Sequence, residues 1–238
     1  MKQRIIGFDI ARALAIFGMV IVNFKIAQNA VTGNETLLWL ASLFEGRASA
    51  LFVVLAGIGI TFLTKNLDQP NNNSLLTKSR KILIKRGFLL VLIGLAYTPI
   101  WPADILHFYG FYFLVAAALI NLNDRNLLIS SIVTMFLFPL MMFIFDYEHG
   151  WDWNTLTYHG FWTLDGIVRH IFFNGFHPVF PWCAFLLLGI WLGRQNLSET
   201  KVRKKLLITS AIIWAITEAT FVALKMLFTH YKVLDISA

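Results

Sequence analysis

Three polar residues interrupt one apolar run near the start of the chain, and their spacing frames the first candidate chemistry. In GFDIARALAIFGMVIVNF, Asp9, Arg12 and Asn23 stand among aliphatic and aromatic neighbours. A helix turns roughly 300° from Asp9 to Arg12 and returns to within about 40° of Asp9 at Asn23. The three therefore share one stripe. Ionisable side chains in hydrocarbon cost roughly a few kcal/mol or more, so such a stripe faces a protein interior or a hydrated path. Asp9 and Arg12, three residues apart, suit a salt bridge. In a functional reading Arg12 offers two donors to a phosphate or carboxylate while Asp9 holds it in place. Asn23 lies roughly 21 Å further along the axis, near the other membrane face. A purely structural pair and a single interhelical amide are the plainer readings of the same residues.

Further candidates lie downstream. In DILHFYGF, Asp104 precedes His107 by one turn, where a carboxylate orients an imidazole and keeps it basic. In NGFHPVFPW, His177 stands before a proline-marked helix start, and Asn174 opens the segment as a candidate substrate ligand. His107, His177 and Asn23 are expected on the same side, where they can converge. A hydrogen-bonded structural histidine is the plainer alternative for each ring. EGRASALFVVLAGIG places Glu45 and Arg47 at a helix opening as candidate substrate contacts, with Gly57 and Gly59 as packing points. The basic cluster Lys78, Arg80, Lys81, Lys85 and Arg86 is first a topology signal, and it also suits a phosphate-bearing cofactor such as coenzyme A. His149, His159 and His170 have no HExxH-type spacing, so no metal is expected.

Elements long and apolar enough to cross a bilayer must position these groups. The 238 residues are 58% hydrophobic and 15% aromatic, well above the apolar share of soluble domains. Only helices close their own hydrogen bonds at such lengths, so the expected fold is all-α, a polytopic transmembrane bundle forming one domain over 1–238. About seven spans are expected, near 6–24, 42–63, 84–101, 105–122, 126–145, 178–193 and 206–228. With the N-terminus cytoplasmic, the inner segments hold about fourteen basic residues and the outer ones five. The net charge of +7 is then a positive-inside signal, and nucleic acid needs no invoking. The first apolar run contains Asp9 and Arg12 and lacks a small-residue cleavage site, so it reads as a mature span. Cys183 alone offers no disulfide and reads as a small packing residue. The segment from Lys65 to Lys81 reads as a polar inner loop. The aromatic outer loop from Asp146 to His177 reads as functional, with IVRHIFF as a short interfacial helix. Glu218 and Lys225, seven apart, share a face of the last span.

RIIGFDIARALAIFGMVIVNF resembles the opening of the transmembrane acyltransferase superfamily, particularly its heparan-alpha-glucosaminide N-acetyltransferase-like and YeiB-like bacterial families. Arg4, Asp9, Arg12 and Asn23 match that pattern. EGRASALFVVLAG, KRGFLLVLIG, DILHFYGFYFLVA and HPVFPWCAFLLLGIWLGR are similar to later family segments, so the resemblance reaches to about Arg194. It implies a multi-pass protein of the bacterial inner membrane that takes an acyl group from cytoplasmic acetyl-CoA and delivers it to an acceptor, often a sugar, on the far side. Arg12, with Asp9 and Arg86, would meet the cofactor's phosphates, Asn23 would polarise the acyl carbonyl or position the acceptor, and an outer histidine would act as base. The glucosaminide enzymes carry that histidine in the first outer loop, and KIAQNAVTGNETLLW has none. The base is then His107 or His177, or the activity is absent. Family members commonly have more than seven spans, so a shorter version of the fold or a partner, a homo-oligomer included, is expected. Membrane lipids and a small-molecule or glycan acceptor are the other expected partners. A small-metabolite or anion transporter and a non-catalytic membrane subunit are the competing functions.

Overall fold

The computed structural model describes residues 5–30, 32–64 and 73–230, and they build an all-α architecture. In chain order the helices are α1 (Ile6–Ala27), α2 (Glu35–Ser42), α3 (Arg47–Thr64), α4 (Asn73–Tyr97), α5 (Leu106–Leu119) and α6 (Asp124–Ile144). A two-residue hairpin, β1 (Trp151–Asp152) and β2 (Thr157–Tyr158), interrupts the series. Then come α7 (Leu164–Arg169), a π-helical turn His170–Asn174, α8 (Val179–Arg194) and α9 (Thr200–His230). Short polar side chains set several starts: Asn34 accepts N–H bonds from Thr36 and Leu37, and Asn123 accepts one from Asn126.

Each of the seven segments expected to span falls on a helix. Among the described residues, four helical stretches are long and apolar enough to cross a membrane: Ile6–Ala27, Glu35–Thr64, Asp124–Ile144 and Thr200–Leu227. The pair Leu164–Asn174 and Val179–Arg194, bent by 49°, makes a fifth if it is one broken span. The short helix expected in IVRHIFF is α7 with its π-helical turn. One loop expectation is corrected. Residues 73–81, read as part of an inner loop, are the first turns of α4. Leu76, Ser79 and Leu83 there turn inward at helical spacing, and Arg80 donates from Nε to the Ala117 carbonyl at 3.0 Å, which ties the stretch to α5. Residues 65–72 and Arg4 lie outside the described residues.

The chain divides into two compact units, Met1–Arg194 and Gln195–Ala238. In the first, α8 lies between α3 and α6, α4 pairs with α5, and α1 packs on α3. The core runs through Val53, Leu83, Phe108, Tyr112, Leu127, Leu186, Leu187 and Ile190, all buried. Small residues let α3 and α8 touch backbone to backbone: a Cβ on Gly57 would strike the Leu186 carbonyl, and one on Gly189 would strike that of Val54. Gly59, expected to pack likewise, faces open space. Thr61 and Ser131 donate their hydroxyls to the Ile190 and Ala184 carbonyls of α8, each at 2.9 Å. Cys183 is buried in this packing, as its sequence context implies. The last carbonyls of α5 are also met, Ala117 by Arg80 and Ile120 by Arg194 Nη2 at 2.8 Å. In the second unit, α9 carries Glu218 and Lys225, and Arg203 donates to the Leu197 and Ser198 carbonyls ahead of the helix.

Candidate active site

A cavity of about 1040 Å³ opens at the end of the bundle where α1 finishes and α8 begins. Asn23 and Lys25 come from α1, Glu45 from the turn before α3, Trp101 and Asp104 from the α4–α5 link, and His177 and Trp182 from the start of α8. Of the three residues expected to converge, Asn23 and His177 line this cavity and His107 does not. The proline-bounded link between α4 and α5 explains why Asp104 arrives there, since Pro99 and Pro102 end one helix before the next begins.

Asp104 is buried to 6% exposure, and its Oδ2 organises the start of α5. That oxygen accepts the backbone N–H groups of Leu106 at 2.9 Å and His107 at 3.4 Å. It also lies 3.2 Å from His107 Nδ1. These contacts fall on Oδ2 and leave Oδ1 unspent by them. His107 is fully buried, and its ring does not line the cavity. It touches the site through Asp104. Gly94 of α4 makes room for it, since a Cβ there would come within 2.7 Å of the His107 Cα. Phe108 and His170 flank the ring, with centroids at 4.0 and 5.7 Å.

His177 is half-buried and lines the cavity directly. Its carbonyl accepts the Tyr112 hydroxyl at 2.6 Å, and Trp182 meets its ring at 4.7 Å between centroids. Lys25 Nζ sits 2.6 Å from Glu45 Oε1, joining α1 to the turn before α3 in the same wall. The pair is partly solvated and is worth about 0–1 kcal/mol, so its role is to set charge rather than to hold the fold.

Other expected site residues lie elsewhere. Of the α1 stripe only Asn23 reaches the cavity; Asp9 is half-buried and Arg12 exposed, because α1 seats only Ala15 and Gly18 fully against the bundle. Arg86 is exposed on α4, and Arg47 points Nη1 at the Ser42 and Leu43 carbonyls at 3.5 Å. Asn174 lies outside the lining of this cavity. It is fully buried, donates Nδ2 to the Tyr147 and His149 carbonyls at 2.8 and 2.9 Å, and accepts the Tyr158 hydroxyl at 3.0 Å. Its amide thus ties together three points of the segment between α6 and α7.

Several cavity residues carry no sequence signal of chemistry, among them Lys25, Tyr97 and Trp182. Trp153 and Thr155 of the outer loop belong to the same wall, and the aromatic density of that loop is the one hint of them. Among the described residues no group of three or more His, Cys, Asp or Glu side chains could hold a metal ion. Outside the membrane, Asp152 holds its carboxyl below the usual value through the Thr155 hydroxyl and the Asn154 N–H, while burial raises the Tyr147 phenol.

The class is therefore a multi-pass helical membrane protein with a carboxylate, an imidazole and an amide in one pocket at a bundle end. More narrowly, the chain matches the heparan-alpha-glucosaminide N-acetyltransferase catalytic family over residues 4–231 and belongs to it. Membership implies membrane acetyltransferase activity, and the family generally uses acetyl-CoA as donor. Neither a curated protein nor a solved structure matches the chain.

Proposed function

We propose that this protein moves an acetyl group from acetyl-CoA, bound at the cytoplasmic side, to an amine or hydroxyl acceptor such as an amino sugar or glycan in the outer cavity. The observation that carries this reading is the shared cavity of Asn23, Asp104 and His177, with His107 held behind Asp104 at 3.2 Å. The acceptor's N–H or O–H attacks the thioester carbonyl; the new C–N or C–O bond forms as the C–S bond breaks. His177 takes the acceptor's proton, Asn23 donates its amide to the carbonyl oxygen as charge develops there, and the leaving sulfur gains a proton to become the free thiol. Asp104 presents its carboxylate to the same space, and His107 positions it. His177 serves better than His107 as base because only His177 lines the cavity.

On the donor side, the exposed guanidinium groups of Arg12 and Arg86 suit phosphates, which Arg grips in bidentate fashion. The setting is the bacterial inner membrane, N-terminus inside, with lipids, the acceptor and other copies of the chain as partners. Purified protein in detergent, given acetyl-CoA and a panel of amino sugars, tests the reading. Acceptor-dependent release of free thiol, lost in His177→Ala and Asn23→Ala, is expected. Full turnover in both variants, or vesicle uptake of solute with no dependence on acetyl-CoA, would exclude it.

A further inference from the structure

The outer hairpin supplies a wall of the cavity that is separate from the helical bundle. Its strands pair Trp151 with Tyr158 and Asp152 with Thr157. The four residues between them, Trp153, Asn154, Thr155 and Leu156, all line the cavity. Three features hold this tip in one shape. The Asp152 carboxylate accepts the Asn154 N–H at 3.0 Å and the Thr155 hydroxyl at 2.9 Å. Leu156 adopts φ +53, a left-handed conformation that a leucine keeps only where its surroundings enforce it. Trp153 stacks on Trp151 with centroids 4.3 Å apart and planes at 15°.

The stack is anchored in turn. Trp151 Nε1 donates to the Asn174 carbonyl at 2.6 Å, and the Asn174 side chain binds Tyr147, His149 and Tyr158 from three points of the loop. A mere connector has no use for such constraint. A fixed tip that brings an indole, an amide and a hydroxyl to a cavity has its recognition geometry built before the ligand arrives.

We propose that the tip from Trp153 to Leu156 is the acceptor-selecting wall of the cavity, with Trp153 and Thr155 touching the acceptor and Asp152 and Asn174 acting as positioning residues. This rests on the acetyl-transfer reading above. The bundle provides the groups that move protons and the tip provides none, so the two layers divide chemistry from selection. Tip changes then weaken acceptor binding and leave the chemical step intact, which is a rise in KM without a fall in kcat.

The test uses full-length protein in detergent, with D-glucosamine as acceptor and acetyl-CoA as donor. Trp153→Ala and Thr155→Val are expected to raise the glucosamine KM about tenfold or more while kcat and the acetyl-CoA KM stay within about twofold. Thr155→Ser, which keeps the hydroxyl, restores the wild-type KM, and melting curves show all three folded. Calorimetric titration with glucosamine alone should rank the variants in the same order without turnover. Unchanged KM and unchanged binding in Trp153→Ala and Thr155→Val would overturn the wall while acetyl transfer stands. Wild-type protein that binds glucosamine at the tip but never acetylates it would overturn the transfer reading and leave the wall. Wild-type protein that neither binds nor acetylates glucosamine would overturn the proposal.

Discussion

Asp104 Oδ2 lies 3.2 Å from His107 Nδ1, and of the two only the acid reaches the cavity. The familiar order of a histidine presented by a carboxylate is thus reversed here: the imidazole lies behind and the carboxylate lines the pocket. Asp104→Asn should therefore lower kcat roughly 10²-fold, the scale of a disturbed positioning group, with His177 still the base and acetyl-CoA binding retained. His107→Asn keeps an N–H near the place of Nδ1 and should retain more kcat than His107→Ala. Steady-state kinetics on the three variants decide this, and equal loss in both His107 variants would contradict the positioning role.

Gly94 is the floor under that arrangement. A methyl group there meets the His107 backbone and its Cβ at 2.7 Å, so Gly94→Ala must separate α4 from α5. Overpacking of this kind costs about 1–3 kcal/mol. Thermal unfolding in detergent should report the lowered stability, and kcat should fall with it. A neutral outcome in both would mean that α5 shifts freely.

Asn174 binds the outer loop to itself, and truncation leaves the Tyr147 and His149 carbonyls and the Tyr158 hydroxyl without partners. Leaving a buried polar group unsatisfied costs about 1–3 kcal/mol. Asn174→Ala should therefore speed amide hydrogen exchange across 147–158 while α3, α6 and α8 remain protected. Exchange that rises throughout the bundle instead would assign Asn174 to the core.

The hairpin tip should respond to acid in a stated direction. Asp152 has its carboxyl lowered from the ordinary 3.8 by the Thr155 hydroxyl and the Asn154 N–H, so the ionised form is the one the folded tip prefers. Its contribution is complete above that ordinary value and is lost as pH falls through the lowered one. Tryptophan fluorescence, taken as the difference between wild type and Trp153→Phe, should change in that acid range. The change should be absent from Asp152→Asn.

Much of this was legible in the residue order, for reasons that can be named. The helices follow from apolar runs longer than a core needs. The Asp104–His107 contact follows from a three-residue spacing across a helix start, and Asn23 and His177 line one cavity as their placement at span ends suggests. The bonds of Asn174 are not legible in the sequence because its partners sit 16 to 27 positions away in a loop without periodicity. Arg80 reads as a surface charge because its acceptors, the α5 carbonyls, lie 37 and 38 residues on. Helical angle alone does not say how far along its length neighbouring helices cover α1. Arg12 and Asn23 are both exposed, and only Asn23 lines the pocket.

The brevity of α5 sets how this helix can meet a bilayer. Its fourteen residues rise only roughly 21 Å, against a hydrocarbon thickness of roughly 30 Å. Its ends are tied to protein groups, an acid at the start and two guanidiniums at the last carbonyls. A helix too short to cross alone leans on its longer partner α4 to keep those ends out of hydrocarbon.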